Sequence, residues 1–128
     1  MIERPSDKKQ EFKKLFKKRC FQFSLSVISL EQNTIIKQST RIIINQLIRA
    51  AASIGANVVE GGNSTSRREF INFFQIALKS SAETVYWLML FKESNSQLSD
   101  KIDPLICECT EIKKMLSTII LNTKNYSK

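Results

Sequence analysis

Residues 46–64 read QLIRAAASIGANVVEGGNS and residues 65–90 continue TSRREFINFFQIALKSSAETVYWLML. This stretch decides the fold. Gly61 and Gly62 stand side by side between two long runs of helical apolar periodicity. Glycine enters left-handed backbone without a Cβ clash, so the pair is expected to end one helix. Asn63, Ser64, Thr65 and Ser66 are turn and cap formers. Ser66 followed by Glu69 fits a capping box, with the hydroxyl accepting from the Glu69 N–H and the carboxylate returning to the Ser66 N–H. The expected unit is a hairpin of two antiparallel helices.

Each helix of the hairpin has a readable face. In the first, Ile44, Leu47, Ile48, Ala51, Ile54 and Val58 recur at three- and four-residue steps. In the second, Phe70, Phe74, Ala77, Ser81, Thr84, Leu88 and Phe91 follow a heptad-like line. Midway along both, the side chains are small (Ala50 to Ser53, Gly55 and Ala56; Ala77, Ser80 to Ala82), which lets two backbones approach closely. The second helix is also apolar off its main line, at Ile71, Phe73, Ile76, Leu78, Val85 and Trp87. A helix apolar on most sides is buried on most sides. One bundle covers only part of it, so Phe73, Ile76 and Trp87 are expected at a subunit interface.

Outside the hairpin the pattern stays helical. Phe12, Phe16, Cys20, Phe23, Val27 and Leu30 form one stripe, and Ile102, Leu105, Ile106, Cys109, Ile112, Leu116, Ile119 and Ile120 form the cleanest one. Polar breaks near 31–39 and 94–100 separate these from the hairpin, with Ser39 or Thr40 able to cap the second helix. The chain of 128 residues, 42% hydrophobic with three Gly and two Pro, fits one all-α domain, an antiparallel up-down four-helix bundle. The expected helices span about 7–30, 40–60, 66–93 and 100–122. The polar end from Asn122 is expected to fray. No apolar run reaches the roughly 20 residues of a membrane span, and the amino terminus lacks the apolar core of a secretory signal. A cytoplasmic location is expected.

Charge is unevenly placed. The net charge is +8, and the first 20 residues hold eight Lys and Arg against three acids, the other 108 holding 12 against nine. Lys9, Lys13 and Lys17 form a stripe on the first helix, with Lys14, Lys18 and Arg19 beside it. Such a run is either a solvated face or the footprint of polyanion binding. Arg67 and Arg68, at the turn, could join it.

Catalytic chemistry finds little support. The chain has no histidine, no nucleophile elbow, no glycine-rich phosphate loop and no metalloprotease motif. Cys20, Cys107 and Cys109 cannot complete a zinc site without histidine and are expected to be buried and inert. No cofactor or metal is expected. Glu60, Glu69 and Glu83 are read as structural, Glu69 through its cap and Glu83 through a partner near Gln46. Asn57 is expected to hold the turn by bonding its backbone.

The two strings, with SIGAN at 53–57 and ETVYWL at 83–88, resemble a bacterial four-helix-bundle family. It includes proteins encoded by intervening sequences in 23S ribosomal RNA genes and the accessory variability determinant proteins of diversity-generating retroelements. The matching residues are Gln46, Arg49, Ser53, Ile54, Asn57, Glu60 and Gly61 before the turn, then Ser66, Glu69, Phe70, Ile76, Ala77, Ser80 and Glu83 after it. The resemblance implies a barrel-shaped homopentamer with a basic surface. Its retroelement members bind a reverse transcriptase and nucleic acid.

The resulting expectation is a non-enzymatic, homo-oligomeric accessory protein that binds nucleic acid, RNA before DNA, through Lys9, Lys13, Lys14, Lys17, Lys18, Arg19, Arg67 and Arg68. The other reading is a protein-interaction scaffold that docks a partner enzyme such as a reverse transcriptase. With the aromatic residues assigned to the core, few are expected to remain for base stacking.

Overall fold

The protein, seen here as a computed structural model describing residues 4–125, is built from four long helices. They are α1 (Pro5–Gln32), α2 (Gln38–Gly62), α3 (Arg67–Ser94) and α4 (Ser99–Asn125), with one 3-10 turn, Ser96–Leu98, before α4. Consecutive helices pack side by side and α1 closes against α4, so the four make an up-down bundle. The helix limits fall within three residues of those expected, all of them outside except the start of α3, which is one residue inside, and α4 stays regular through Asn125. Residues 126–128, part of the expected frayed end, lie outside the described residues.

The stripes on α2, α3 and α4 become the core. Ile44, Leu47, Ala51, Ile54 and Val58 of α2 meet Phe74, Ala77, Leu88 and Phe91 of α3. Ile102, Cys109, Ile112, Leu116 and Ile120 supply the α4 side, and Phe16, Cys20, Phe23, Val27 and Leu30 the α1 side. Among the described residues α2 is the one helix long and apolar enough to cross a membrane. It seats Ile44, Leu47, Ala50, Ala51, Ile54 and Val58 in the bundle core, which accounts for its composition.

The small residues midway along α2 and α3 bring the two helices together. The Ser53 and Ser80 hydroxyls lie 2.8 Å apart across the interface, and Ala50, Ala51 and Ala77 are buried beside them. Ser81 and Thr84 are also fully buried, their hydroxyls donating to the carbonyls of Leu78 and Ser80 within the same helix. Buried hydroxyls satisfied in this way carry little penalty.

The turn differs from expectation in its cause. No glycine has positive φ; α2 runs through Gly62 and ends at Asn63 with φ −96°. What requires glycine is proximity. A Cβ at Gly61 would lie 2.7 Å from two ring carbons of Phe74 and 3.1 Å from the Phe73 Cβ. The missing side chain lets the stacked Phe70–Phe74 pair, centroids 4.1 Å apart, close the end of the core.

Ser66 caps α3 as expected, its Oγ accepting from the Glu69 N–H at 3.1 Å. The Glu69 carboxylate instead accepts from the Thr65 hydroxyl at 3.4 Å. The N-cap of α2 is Lys37, not Ser39 or Thr40; Thr40 donates its hydroxyl to the Lys37 carbonyl. Cys20 and Cys109 are buried, but Cys107 is exposed. Two residues from Cys109 on the same helix, it is turned about 200° away from the core.

Candidate nucleic-acid interface

α1 begins with Pro5, whose fixed φ suits the first helical position. The Arg4 N–H donates to the Asp7 carboxylate at 3.3 Å. Among the described side chains none is buried before Phe16. Phe12, expected in the core, is 47% exposed and lies parallel to the buried Phe16 ring at 6.3 Å. The apolar pattern continues there past the end of α2. Lys17 stands beside Gly62, the last residue of α2, so the turns of α1 before it run on beyond that helix.

This leading segment carries the basic residues. Lys8, Lys9, Lys13, Lys14, Lys17 and Lys18 are all exposed. Arg19 is not part of that surface. Its guanidinium donates from Nε and Nη2 to the two carboxylate oxygens of Glu108, each at 2.7 Å, and from Nη1 to the Met115 sulfur. The Glu108 carboxylate holds the Arg19 pKa above its ordinary value. A fork of two charge-assisted hydrogen bonds between α1 and α4 is a structural clamp, so the assignment of Arg19 to the binding surface is withdrawn.

α1 and α3 run parallel, and their amino termini share one end of the bundle. Arg67 and Arg68 therefore lie at the same end as the lysines. They line an open groove with Ser66, Glu69, Ile71, Asn72, Gln75 and Lys124. Lys124 belongs to the carboxyl-terminal tract expected to fray; only the continuation of α4 brings it here. The first turn of α3 adds the partial positive charge of a helix amino terminus.

The motif residues form a second, separate constellation. Arg49 of α2 donates from Nε to Gln46 Oε1 at 2.8 Å and from Nη2 to the Glu83 carboxylate of α3. The Trp87 indole N–H donates to the same carboxylate at 2.8 Å. Glu83 is thus tied to Gln46 through Arg49. Its pKa lies below the ordinary carboxylate range, chiefly because of the Trp87 hydrogen bond and then Arg49, against partial desolvation. Asn57 bonds backward to the Ser53 carbonyl at 2.8 Å and to its hydroxyl, so it braces the middle of α2 and does not hold the turn. Glu60 is exposed.

Trp87 is the one tryptophan of the chain, which makes this network measurable. Its fluorescence should change as Glu83 is protonated, with a midpoint below the ordinary glutamate value, and Glu83→Gln should abolish the transition. Because the folded-state pKa is lowered, the carboxylate stabilises the protein at neutral pH and that contribution is lost as the pH falls through the shifted value. A midpoint at or above the ordinary value would contradict the geometry.

Apolar surface lies beside this network. Ile76 is 40% exposed, and Phe73 and Trp87 are half-buried. The Ser53–Ser80 and Arg49–Glu83 pairs fix an antiparallel register that sets Ile42 opposite Leu90. Both of these, and Tyr86, are exposed. The Tyr86 ring meets that of Trp87 edge to face at 5.1 Å.

Comparison with known proteins adds two findings. The profile of a family described as 23S rRNA-intervening sequence protein matches residues 13–118. A crystal structure of a protein of unknown function from the S23 ribosomal protein family of Bacteroides thetaiotaomicron VPI-5482 is similar, with a TM-score of 0.75 at 32% identity. The alignment covers 82% of this chain and 97% of that one. No curated protein matches.

Proposed function

The chain belongs to the 23S rRNA-intervening sequence protein family, and on that premise we propose that it is a non-enzymatic accessory protein that binds nucleic acid, RNA in particular, through the leading turns of α1. The observation that carries the reading is a lysine-rich helical segment with no fully buried side chain before Phe16 among the described residues. A lysine-rich segment whose core contact is chiefly the half-covered Phe12 ring against Phe16 presents its charge to something outside the bundle. The groove of Arg67, Arg68 and Lys124 at the same end extends the surface. Contacts of this kind read phosphates and so give affinity with little sequence preference.

The protein acts in this reading as a homo-oligomer, a pentamer by family resemblance, working in the cytoplasm. The exposed Ile42, Ile76, Tyr86 and Leu90 beside Phe73 and Trp87 support a subunit interface, and repetition around a ring would multiply the basic surface.

Replacing Lys9, Lys13, Lys14, Lys17 and Lys18 by Gln should leave the bundle folded, because none of the five is buried. Affinity for single-stranded RNA should fall by roughly a hundredfold or more at low salt. The slope of log K against log salt should flatten by about 0.7 for each phosphate that the variant no longer neutralises. Unchanged affinity in a salt-series gel shift would remove the assignment.

A further inference from the structure

On the outer side of α1, Lys14, Lys18, Phe21 and Leu25 follow one another at steps of four, three and four. The buried line Phe16, Cys20, Phe23 and Val27 has the same spacing, two residues out of phase. Two residues turn a helix about 200°, so the first line points directly away from the core. Phe21 is 63% exposed on it. Lys17 and Lys18, four and three residues before Phe21, adjoin it along the helix surface on one side, as Ser24 and Leu25 do on the other. Between Glu11 and Glu31 the chain has no acidic residue.

We propose that Phe21 is a stacking platform for an unpaired base, with Lys14, Lys17 and Lys18 holding the adjoining phosphates, so that the preferred ligand is single-stranded nucleic acid. This rests on the nucleic-acid reading above and names the ligand class. An isolated exposed phenyl ring is ordinary; one flanked by lysines and distant from any acid on its own helix combines the two elements by which single strands are held, a π-face and a cationic track. A duplex keeps its bases stacked inside and offers the ring nothing. Charge also selects the occupant: a second copy of this chain docking its own equally basic α1 here would bring like charges together, whereas a polyanion is drawn to them.

The test uses the full-length protein and three labelled probes in fluorescence anisotropy: a short oligouridylate, the same backbone with abasic sites, and a duplex RNA of equal length. Phe21→Ala should weaken oligouridylate binding roughly tenfold or more. It should leave the abasic and duplex probes within about twofold of wild type, since phosphate contacts persist without stacking. Phe21→Trp should retain the preference. Lys14, Lys17 and Lys18 changed together to Gln should weaken all three probes.

If Phe21→Ala binds oligouridylate as the parent does while the lysine variant fails, the stacking assignment is wrong and the nucleic-acid reading stands. If the parent binds none of the probes, both fall. If Phe21→Ala reduces the mass in light scattering and lowers all affinities alike, the ring belongs to a contact between copies and the assignment is overturned.

Discussion

Gly61→Ala is expected to unfold at lower urea concentration than the parent, and Gly55→Ala at higher. Both glycines are in α2, where alanine is ordinarily favoured by about 0.5–1 kcal/mol. Their surroundings separate them. At Gly55 a Cβ would find its nearest neighbour, the Cys20 Cβ, at 3.6 Å, which is an ordinary van der Waals distance. At Gly61 the same atom would fall 2.7 Å from the Phe74 ring. Phe74 is buried and stacked on Phe70, so the ring cannot swing away without opening the end of the core. Overpacking of this kind costs about 1–3 kcal/mol, enough to reverse the propensity gain and leave a net loss on the order of 1–2 kcal/mol. Urea midpoints at constant m-value decide the matter. A stabilised Gly61→Ala would mean that the Phe70–Phe74 pair yields easily and that glycine is there for another reason.

A larger effect is expected at high pH. Burial pushes the thiols of Cys20 and Cys109 up to about 12, because a thiolate would be stranded among apolar side chains. In the unfolded chain both would ionise near 9. A raised folded-state value leaves stability intact below the unfolded value and removes it as the pH climbs between the two. Each thiol then costs about 1.4 kcal/mol per pH unit. At about pH 10.5 the two together should remove about 4 kcal/mol relative to pH 8, a large share of the roughly 5–15 kcal/mol typical of a domain. Denaturant melts from about pH 8 to 11 should show this decline. The Cys20→Ala, Cys109→Ala variant should start less stable, for the sulfur volume removed, yet decline less steeply. Equal slopes in parent and variant would show that other groups govern the alkaline limit. The exposed Cys107 should react with a thiol reagent at about pH 8 while the buried pair waits for unfolding.

The interior was largely legible from spacing. The α3 line from Phe74 to Phe91 and the α4 line from Ile102 to Ile120 are core because a three-four rhythm leaves them no other side to face. The rhythm says nothing of where a neighbour stops. Phe12 keeps step with Phe16 and is still exposed, because α2 has already ended. Pairings set by the mutual register of two helices were equally hidden. Arg19 sits 89 residues from Glu108, and its place in a run of lysines suggested a surface role that the fork to α4 takes away. Glu83 was placed near Gln46 by counting from the turn, while its direct partners are Arg49 and Trp87. Gly61 was recognised as necessary for a conformational reason, and a steric one replaced it. The reading of Phe21 needed the phase of α1 relative to the bundle, which only the packed structure supplies.

The overhanging turns of α1 have one more consequence. Lys13 with Lys17, and Lys14 with Lys18, repeat like charge one helical turn apart, a spacing that loosens a helix by about a few tenths of a kcal/mol per pair. Before Phe16 the apolar burial among the described residues is slight, chiefly the covered half of Phe12, so the winding of these turns is expected to respond to ionic strength. A multivalent anion settling along it would quiet the repulsion and lengthen the ordered coil. By reciprocity, whatever winds the overhang tighter would strengthen the hold of any anion that favours the wound form.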